Sequence, residues 1–364
     1  MARLPAQVAA VRAAVRSALR DTGGAEPRLA LVACSGGADS LALAAAAAFV
    51  APRTGWRAGL LTIDHGLQEG SRQRAEAVAG WARGAGLAPV EVLPVSVAGR
   101  SGGPEAAARA ARYEALAGAA GRLGAAAVLL GHTRDDQAET VLLALARGAG
   151  PRGLAGMPPR AVRHGVAWVR PLLGIGRWQT RRACADLKLD PWEDPHNTDP
   201  GYARARVRAG ALPALVEALG ERVVDNLART ARQVAADNQV LDALAGDALT
   251  AARTAAPGPG GAAGGPDVAA GLDVAALRGM PAAVRTRVLH TWARELGAPG
   301  SALSHRHVAA LDALVTSWHG QGPAYLPGGL TVTRTAGVLA ARPDPPEQAG
   351  SGQPGGGGTP ARQV

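Results

Sequence analysis

The run Leu29-Ala30-Leu31-Val32-Ala33-Cys34, followed at once by Ser35-Gly36-Gly37-Ala38-Asp39-Ser40 and an alanine-rich stretch to Val50, decides the fold. Six apolar residues ending in a glycine turn read as a strand buried on both faces. The residues after the turn have helical character, so the segment is strand, loop, helix. Glycines let backbone approach phosphate oxygens closely, and the next helix offers free N–H groups and its positive dipole end. The Ser35 and Ser40 hydroxyls can add hydrogen bonds, and Asp39 is placed to hold a magnesium ion against a pyrophosphate. Two glycines alone would be no more than a tight turn. The six-residue SGGADS directly after a strand says more, and it lacks the Gly-Lys-Ser/Thr of a Walker A loop.

Working outward, strand candidates at 28–34, 57–64, 90–95 and 125–131 alternate with helical patterns at 40–50, 72–85, 105–123 and 135–147. That order predicts βαβ units around a parallel sheet with helices on both faces. Ligands of such sheets bind beyond the carboxyl ends of the strands. Residues 151–192, rich in Gly, Pro, Arg and Trp, read as an ordered but irregular flap. Helical periodicity returns at 213–249, and 256–271 is a Gly/Pro/Ala loop. The segment 272–342 carries two helical patterns and a run with strand character at 330–341. The expectation is an α/β protein: a parallel-sheet catalytic domain over 1–212, a helical linker over 213–255, the loop, a small C-terminal α/β module, and a disordered low-complexity tail over 343–364.

At 364 residues the chain has room for two domains. A net charge of +10 points to a polyanionic partner, nucleic acid being the commonest. Arginine almost replaces lysine, Lys188 being the single lysine. The two cysteines, Cys34 and Cys184, form no CxxC pair, which argues against a zinc ribbon, a cysteine-ligated cluster or a disulfide scaffold and suits a reducing cytoplasm. Cys34 reads as a small buried strand residue, and Cys184, standing alone, is uninformative. The first twenty residues lack a signal-peptide core, and the run 41–50 is too short to cross a bilayer, so a soluble protein is expected. His305 and His307 lack an acidic or cysteine companion for a metal.

A second constellation follows the fourth strand: Gly131-His132-Thr133-Arg134-Asp135-Asp136-Gln137-Ala138-Glu139-Thr140. If Asp135 starts a helix, Asp136 and Glu139 fall three apart on one face. Two acids beside a nucleotide site suit magnesium, or recognition and deprotonation of a cationic amine. A preference of acids for a helix N-terminus accounts for either alone, but not for His132 or for the co-occurrence with SGGADS.

Together these motifs resemble those of the tRNA(Ile)-lysidine synthetases, in the PP-loop (adenine nucleotide α-hydrolase-like) superfamily. The resemblance runs through SGGADS at 35–40, IDHGL at 63–67, ARAARY at 108–113, GHTRDDQAET at 131–140, RGAG at 147–150 with GLAGM at 153–157, residues 168–173, WEDP at 192–195 with Asn197, and YARARVR at 202–208. It implies a ligase forming a C–N bond. ATP adenylates the carbon-2 oxygen of the cytidine at the first anticodon position of tRNA(Ile) bearing CAU. Free L-lysine then attacks through its ε-amine and expels AMP, and decoding changes from AUG to AUA. On this resemblance Ser35, Gly36, Gly37, Ala38, Asp39 and Ser40 cradle the ATP phosphates, and Asp39 with Asp136 are the magnesium candidates. Asp136 and Glu139 match acids that recognise the lysine amine, His132 opens the same motif, and Arg112 and Arg206 match arginines near the reacting groups. The chain departs from the family's usual Asn between the arginines, having Ala205 there. The C-terminal module is expected to grip tRNA, and a homodimer through the helical segment is left open.

Three rival readings compete with this one. A tRNA thiolase acting on cytidine usually carries paired cysteines, absent here, and Ala38 fills a position often held by lysine in sulfur-transfer relatives. A small-molecule ligase such as NAD or GMP synthetase fits the basic charge less well. A non-catalytic RNA-binding protein with a decayed site should have lost one of Asp39, Asp136 or Glu139, yet all three stand.

Overall fold

The computed structural model describes residues 4–22, 28–64, 66, 70–95, 104–163, 165–193, 199, 201–254 and 271–343. Asn197, the loop 256–270 and the tail from 344 lie outside the described residues. The chain divides into two compact units, Met1–Asn238 and Gln239–Val364.

In the first unit the elements run α1 (Ala6–Arg20), β1 (Arg28–Ala33), α2 (Ala38–Val50), β2 (Trp56–Asp64), α3 (Ser71–Gly84), β3 (Val90–Pro94), α4 (Pro104–Arg122), β4 (Ala127–Leu130), α5 (Arg134–Ala146), α6 (Pro151–Leu154), β5 (Arg160–Arg163), β6 (Val166–Val169), α7 (Arg177–Asp186), α8 (Ala203–Arg206), α9 (Leu212–Leu219) and α10 (Arg222–Ala252). A π-helical stretch, Val207–Ala211, joins α8 to α9. Six strands form one sheet in the order β3-β2-β1-β4-β6-β5, parallel throughout except for β5, which returns antiparallel to β6. The strand order reverses between β1 and β4. The crevice beyond their carboxyl ends is where such a sheet binds ligands.

Alternation along the strands builds a core on each face. In β1 and the residue after it, Ala30, Val32 and Cys34 join the cluster that includes Val8, Val11, Val15 and Leu19 of α1 and most of α2. Leu29, Leu31 and Ala33 face the other way, with Leu116, Leu61 and Trp168. Within β4, Ala127 and Leu129 go to the first face, Val128 and Leu130 to the second. The four buried α1 residues recur at one face of a helix, and α2 is buried nearly all round because alanine lets its neighbours come close.

The four expected strands are present, but residues 151–192 are not an irregular flap. They contain α6, the β5–β6 hairpin and α7, and β6 is a full member of the parallel sheet. Val166-Ala167-Trp168-Val169 is a run of four buried residues between Gly165 and Pro171, too short to stand out in a Gly/Pro/Arg-rich setting. Much of the stretch read as a linker is the single 31-residue helix α10. Among the described residues no helix is long and apolar enough to cross a membrane.

The second unit consists of the last turns of α10, β7 (Arg253–Thr254), β8 (Gly271–Asp273), α11 (Val274–Arg278), α12 (Ala282–Glu295), α13 (His305–Thr316), β9 (Ala324–Leu326), β10 (Leu330–Thr335) and β11 (Val338–Pro343). Its five strands follow the order β7-β8-β11-β10-β9, every pair antiparallel. The run 330–341, expected to have strand character, is a hairpin of two strands. It turns at Ala336 and Gly337, both at positive φ (49° and 79°), the twist that tight hairpins favour. Leu272, Leu289, Trp292, Leu311 and Val332 form its core, and Arg285 reaches Asp312 at 2.6 Å.

Gly131, straight after β4, ties the sheet to the glycine loop. A Cβ there would lie 3.0 Å from both the backbone nitrogen and the Cα of Ser40, atoms that cannot swing aside. Gly131→Ala should lower stability by about 1–3 kcal/mol, the usual cost of overpacking. At Gly118, inside α4, an added Cβ meets nothing within 4 Å. Gly118→Ala should therefore be neutral or stabilising by up to about 1 kcal/mol. Urea unfolding midpoints of the two variants test the contrast.

Candidate active site

The loop after β1 takes its shape from the serines. Ser40 Oγ accepts from the Ser35 backbone N–H at 3.2 Å and donates to the Gly37 carbonyl at 3.0 Å. Gly36, at φ +86°, makes the turn that only glycine adopts freely. The Trp192 N–H closes on the Gly36 carbonyl at 3.0 Å, and the Arg74 guanidinium lies 4.4 Å over the Trp192 ring. The loop therefore opens into a cleft of about 760 Å³ at the carboxyl edge of β1 and β4. Ser35, Gly37, Ala38, Asp39, Ser40, Arg112, His132 and Asp136 all line it.

Opposite the loop, α5 starts one residue before the expected Asp135 and is capped by Thr133, with Asp136 three residues on completing a capping box. Asp136 Oδ2 accepts from the Thr133 backbone N–H and hydroxyl, both at 2.8 Å. The other oxygen, Oδ1, accepts from Arg177 at 3.0 Å and Arg208 at 3.2 Å. One turn along, the Glu139 side chain has 0% solvent exposure. Its Oε1 accepts from Arg177 at 3.0 Å and Arg208 at 2.8 Å; its Oε2 accepts from Arg208 at 3.2 Å, with Arg204 Nε at 3.7 Å. Burying a carboxylate is costly unless cations and donors surround it, and here three guanidinium groups do so.

Arg177 is the keystone of this arrangement, at the first residue of α7. Its backbone N–H donates to Asp135 Oδ2 at 2.8 Å, and its Nε lies 3.8 Å from Asp39 Oδ2. One turn on, the Thr180 hydroxyl donates to Asp39 Oδ1. Arginines 177, 204 and 208 did not stand out in the sequence as site residues. The usable signal was the four-residue spacing of 204 and 208, which puts both on one helix face. Arg206, the expected site arginine, falls on the opposite side: it is exposed, donates to the Gly201 carbonyl at 3.1 Å, and does not line the cleft. Ala205, between them, is buried.

Electrostatics separates the remaining candidates. Burial pushes the Asp39 carboxyl up to about 6, with the Thr180 hydrogen bond and Arg177 opposing and Asp136 adding to the rise. Burial would raise Asp136 too, but Arg177, the Thr133 donors and His132 outweigh it and hold the carboxyl below its usual range. Burial lowers His132 to about 3, with Arg170, Arg112 and Arg204 adding to the fall, so the imidazole is neutral at pH 7. Its Nδ1 is buried with no hydrogen-bond partner among the described residues. Burial also lowers the Arg112 guanidinium, and Arg112 lines the cleft. Cys34 and Cys184 are buried and burial raises both thiols, Cys184 to about 11; Cys34 is the small buried residue its sequence setting predicts.

The donor set fits magnesium at one carboxylate and not at two. Magnesium takes one or two carboxylates and otherwise keeps waters and phosphate oxygens. Among the described residues, the cation facing Asp39 Oδ2 is the Arg177 Nε at 3.8 Å, beyond hydrogen-bond distance, so this oxygen can take a hard cation. Asp136 differs from expectation, because both of its oxygens are already taken by donors and guanidinium groups. Among the described residues no group of three His, Cys, Asp or Glu side chains is placed to hold a metal.

The shift at Asp39 carries a pH signature. An unperturbed Asp titrates near about 3.9, so the folded state binds this proton more tightly than the unfolded chain. The stability from that proton is whole below about pH 3.9 and is lost as pH rises through 6. In metal-free buffer, Asp39→Asn should stabilise the protein by roughly 1–2 kcal/mol at pH 7.5 and by almost nothing near pH 4. Urea unfolding at both pH values measures this, and an equal gain at both would discard burial as the cause.

Comparison with known proteins agrees with this architecture. A family profile described as PP-loop domain matches residues 9–215, and one described as TilS substrate binding domain matches residues 272–339. The chain is 65% identical over 341 residues to a tRNA(Ile)-lysidine synthase of Salinispora tropica, covering 94% of this chain and 98% of that one. It is 66% identical over 339 residues to that of Salinispora arenicola, covering 93% and 97%. Among solved structures, a U34-tRNA thiolase, NcsA from Methanococcus maripaludis with its 4Fe–4S cluster, superposes with a TM-score of 0.51 at 16% identity, covering 63% of this chain and 79% of that chain. At that identity the likeness concerns the fold alone. With its catalytic-type sheet, its glycine loop and near-full-length relatives at this identity, the chain belongs to the tRNA(Ile)-lysidine synthase family.

Proposed function

We propose that the chain is a ligase that uses ATP to join free L-lysine to carbon 2 of the first-anticodon-position cytidine of tRNA(Ile) bearing CAU, in the cytoplasm. The observation that carries this reading is the convergence of the loop 35–40 and the acids of α5 on one cleft. The loop N–H groups, Ser35 and Ser40 cradle the ATP phosphates. Arg112, in the cleft wall, supplies positive charge for the phosphates as charge moves towards pyrophosphate. Asp39 is the carboxylate that would hold magnesium, which when bound offsets phosphate charge.

In the first step the cytidine carbon-2 oxygen attacks the α-phosphorus, and the bond to the pyrophosphate oxygen breaks. The base now carries AMP on that oxygen. In the second step the lysine ε-nitrogen, as free amine, attacks carbon 2; the carbon–oxygen bond breaks and AMP departs with the oxygen. Asp136 and Glu139 bind and orient the amine. The guanidinium groups that remain beside the pair, Arg204 and Arg208, oppose a further positive charge there, which favours loss of the amine's proton. His132, neutral and with an unsatisfied Nδ1, accepts or donates a hydrogen bond to the base without adding charge. The basic chain and the C-terminal unit suit gripping tRNA.

The test is incubation of the protein with ATP, magnesium, radiolabelled lysine and tRNA(Ile) transcripts with a CAU anticodon. Acid-precipitable lysine should require ATP and the first anticodon cytidine, with AMP as co-product. AMP formation with RNA but no lysine incorporation would retain the nucleotide chemistry and discard lysine as the nucleophile.

A further inference from the structure

We propose that Arg177 is a resident cation on the amine subsite, and that lysine takes its place on Asp136 and Glu139 once ATP fills the loop 35–40. The inference rests on the reading that this acid pair binds the lysine amine.

Every oxygen of the pair is engaged. Asp136 Oδ2 serves Thr133, Asp136 Oδ1 and Glu139 Oε1 each serve Arg177 and Arg208, and Glu139 Oε2 serves Arg208 with Arg204 nearby. Glu139 also has no exposed side-chain surface. An ammonium can reach the pair only if a guanidinium leaves, and the geometry selects which. Arg208 grips both Glu139 oxygens through two nitrogens, and such bidentate pairs are the strong ones. Arg204 makes no hydrogen bond to either acid and donates instead to Thr140 at 3.1 Å. Arg177 bridges the acids through one nitrogen, Nη2, at 3.0 Å from Asp136 Oδ1 and 3.0 Å from Glu139 Oε1. A single nitrogen shared between two carboxylates is the position a lysine Nζ would occupy.

Arg177 also has somewhere to go. Its Nε is 3.8 Å from Asp39 Oδ2, inside the loop itself, and its side chain lines the same cleft as Ser35 and Ser40. A triphosphate in that loop offers a fork of anionic oxygens that suits guanidinium better than one shared nitrogen contact. Nucleotide thus draws Arg177 off the pair and opens the amine subsite, making lysine binding follow ATP binding.

Equilibrium dialysis of radiolabelled lysine against the full chain tests this, with and without α,β-methylene-ATP, which cannot be cleaved between the α and β phosphates. In the wild type the analogue should tighten lysine binding by about tenfold or more. In Arg177→Gln, lysine should bind as well without the analogue as with it, while Arg177→Lys, which keeps a cation there, should restore the dependence. Nucleotide-independent lysine binding in the wild type overturns the proposal without any variant. So does an Arg177→Gln protein that binds the analogue but loses lysine, or keeps the wild-type dependence. Glu139→Gln separates the underlying reading: if that variant binds the analogue and still binds lysine normally, the acid pair is not the amine subsite and the proposal falls with it.

Discussion

A fully buried glutamate needs compensating charge, and the first unit is arranged around supplying it. Removing one partner of a buried ion pair commonly costs about 3–5 kcal/mol, because the other charge is left uncompensated. The three arginines on Glu139 come from two separate parts of the chain, α7 and the turn from α8 into the π-helical stretch. Their convergence holds those segments against α5, and α5 is fixed by its own cap at Thr133. Charge compensation and fold are therefore one constraint: the segments that carry the arginines cannot leave without stranding the acid.

That constraint explains the division of labour among the carboxylates. Asp136 caps its helix with one oxygen and joins the arginine network with the other. Among the described residues, Asp39, across the cleft, has one hydroxyl donor and a distant guanidinium. The first is held ionised and directional; the second is left short of cations, which is the condition in which a bound metal or phosphate-associated charge makes the greatest difference.

The sheet from β1 to β4 was legible because β1, β2 and the six-residue run 125–130 that ends in β4 are apolar stretches beside glycines, β3 is marked by Val90, Val92 and Leu93, and the loop 35–40 announced its own geometry. The Asp136–Glu139 pairing was legible from its i, i+3 spacing. β6 was not, since four residues cannot show a period, and α7 was not, because its arginines mask the few apolar positions it buries. Arg177 could not have been found locally: its partners are 38 to 138 positions away in sequence and meet it only through the sheet order. The arginines at 204 and 208 were visible as a pair, but only helical phase distinguishes them from 206, and that phase depends on where the helix starts. In the second unit the turn residues Ala336 and Gly337 lie inside an otherwise uniform strand pattern, so the strand character of 330–341 was legible and its turn was not.

The π-helical stretch Val207–Ala211 has a consequence for how the family can vary. A π turn holds one residue more than the α turn it replaces, so it advances the phase of everything downstream by about 100° relative to an unbroken helix. Upstream, Arg204 faces the acids; downstream, Leu212 turns inward while Leu219 stays in solvent. The extra residue is a rotational joint between a part of the chain whose orientation is dictated by charge and a part dictated by apolar burial. Losing a single residue there would force the two demands into conflict, whereas a change of side chain at the joint, Arg208 excepted, would leave both satisfied. Beyond that one arginine, length rather than composition is the quantity under constraint at this point in the chain.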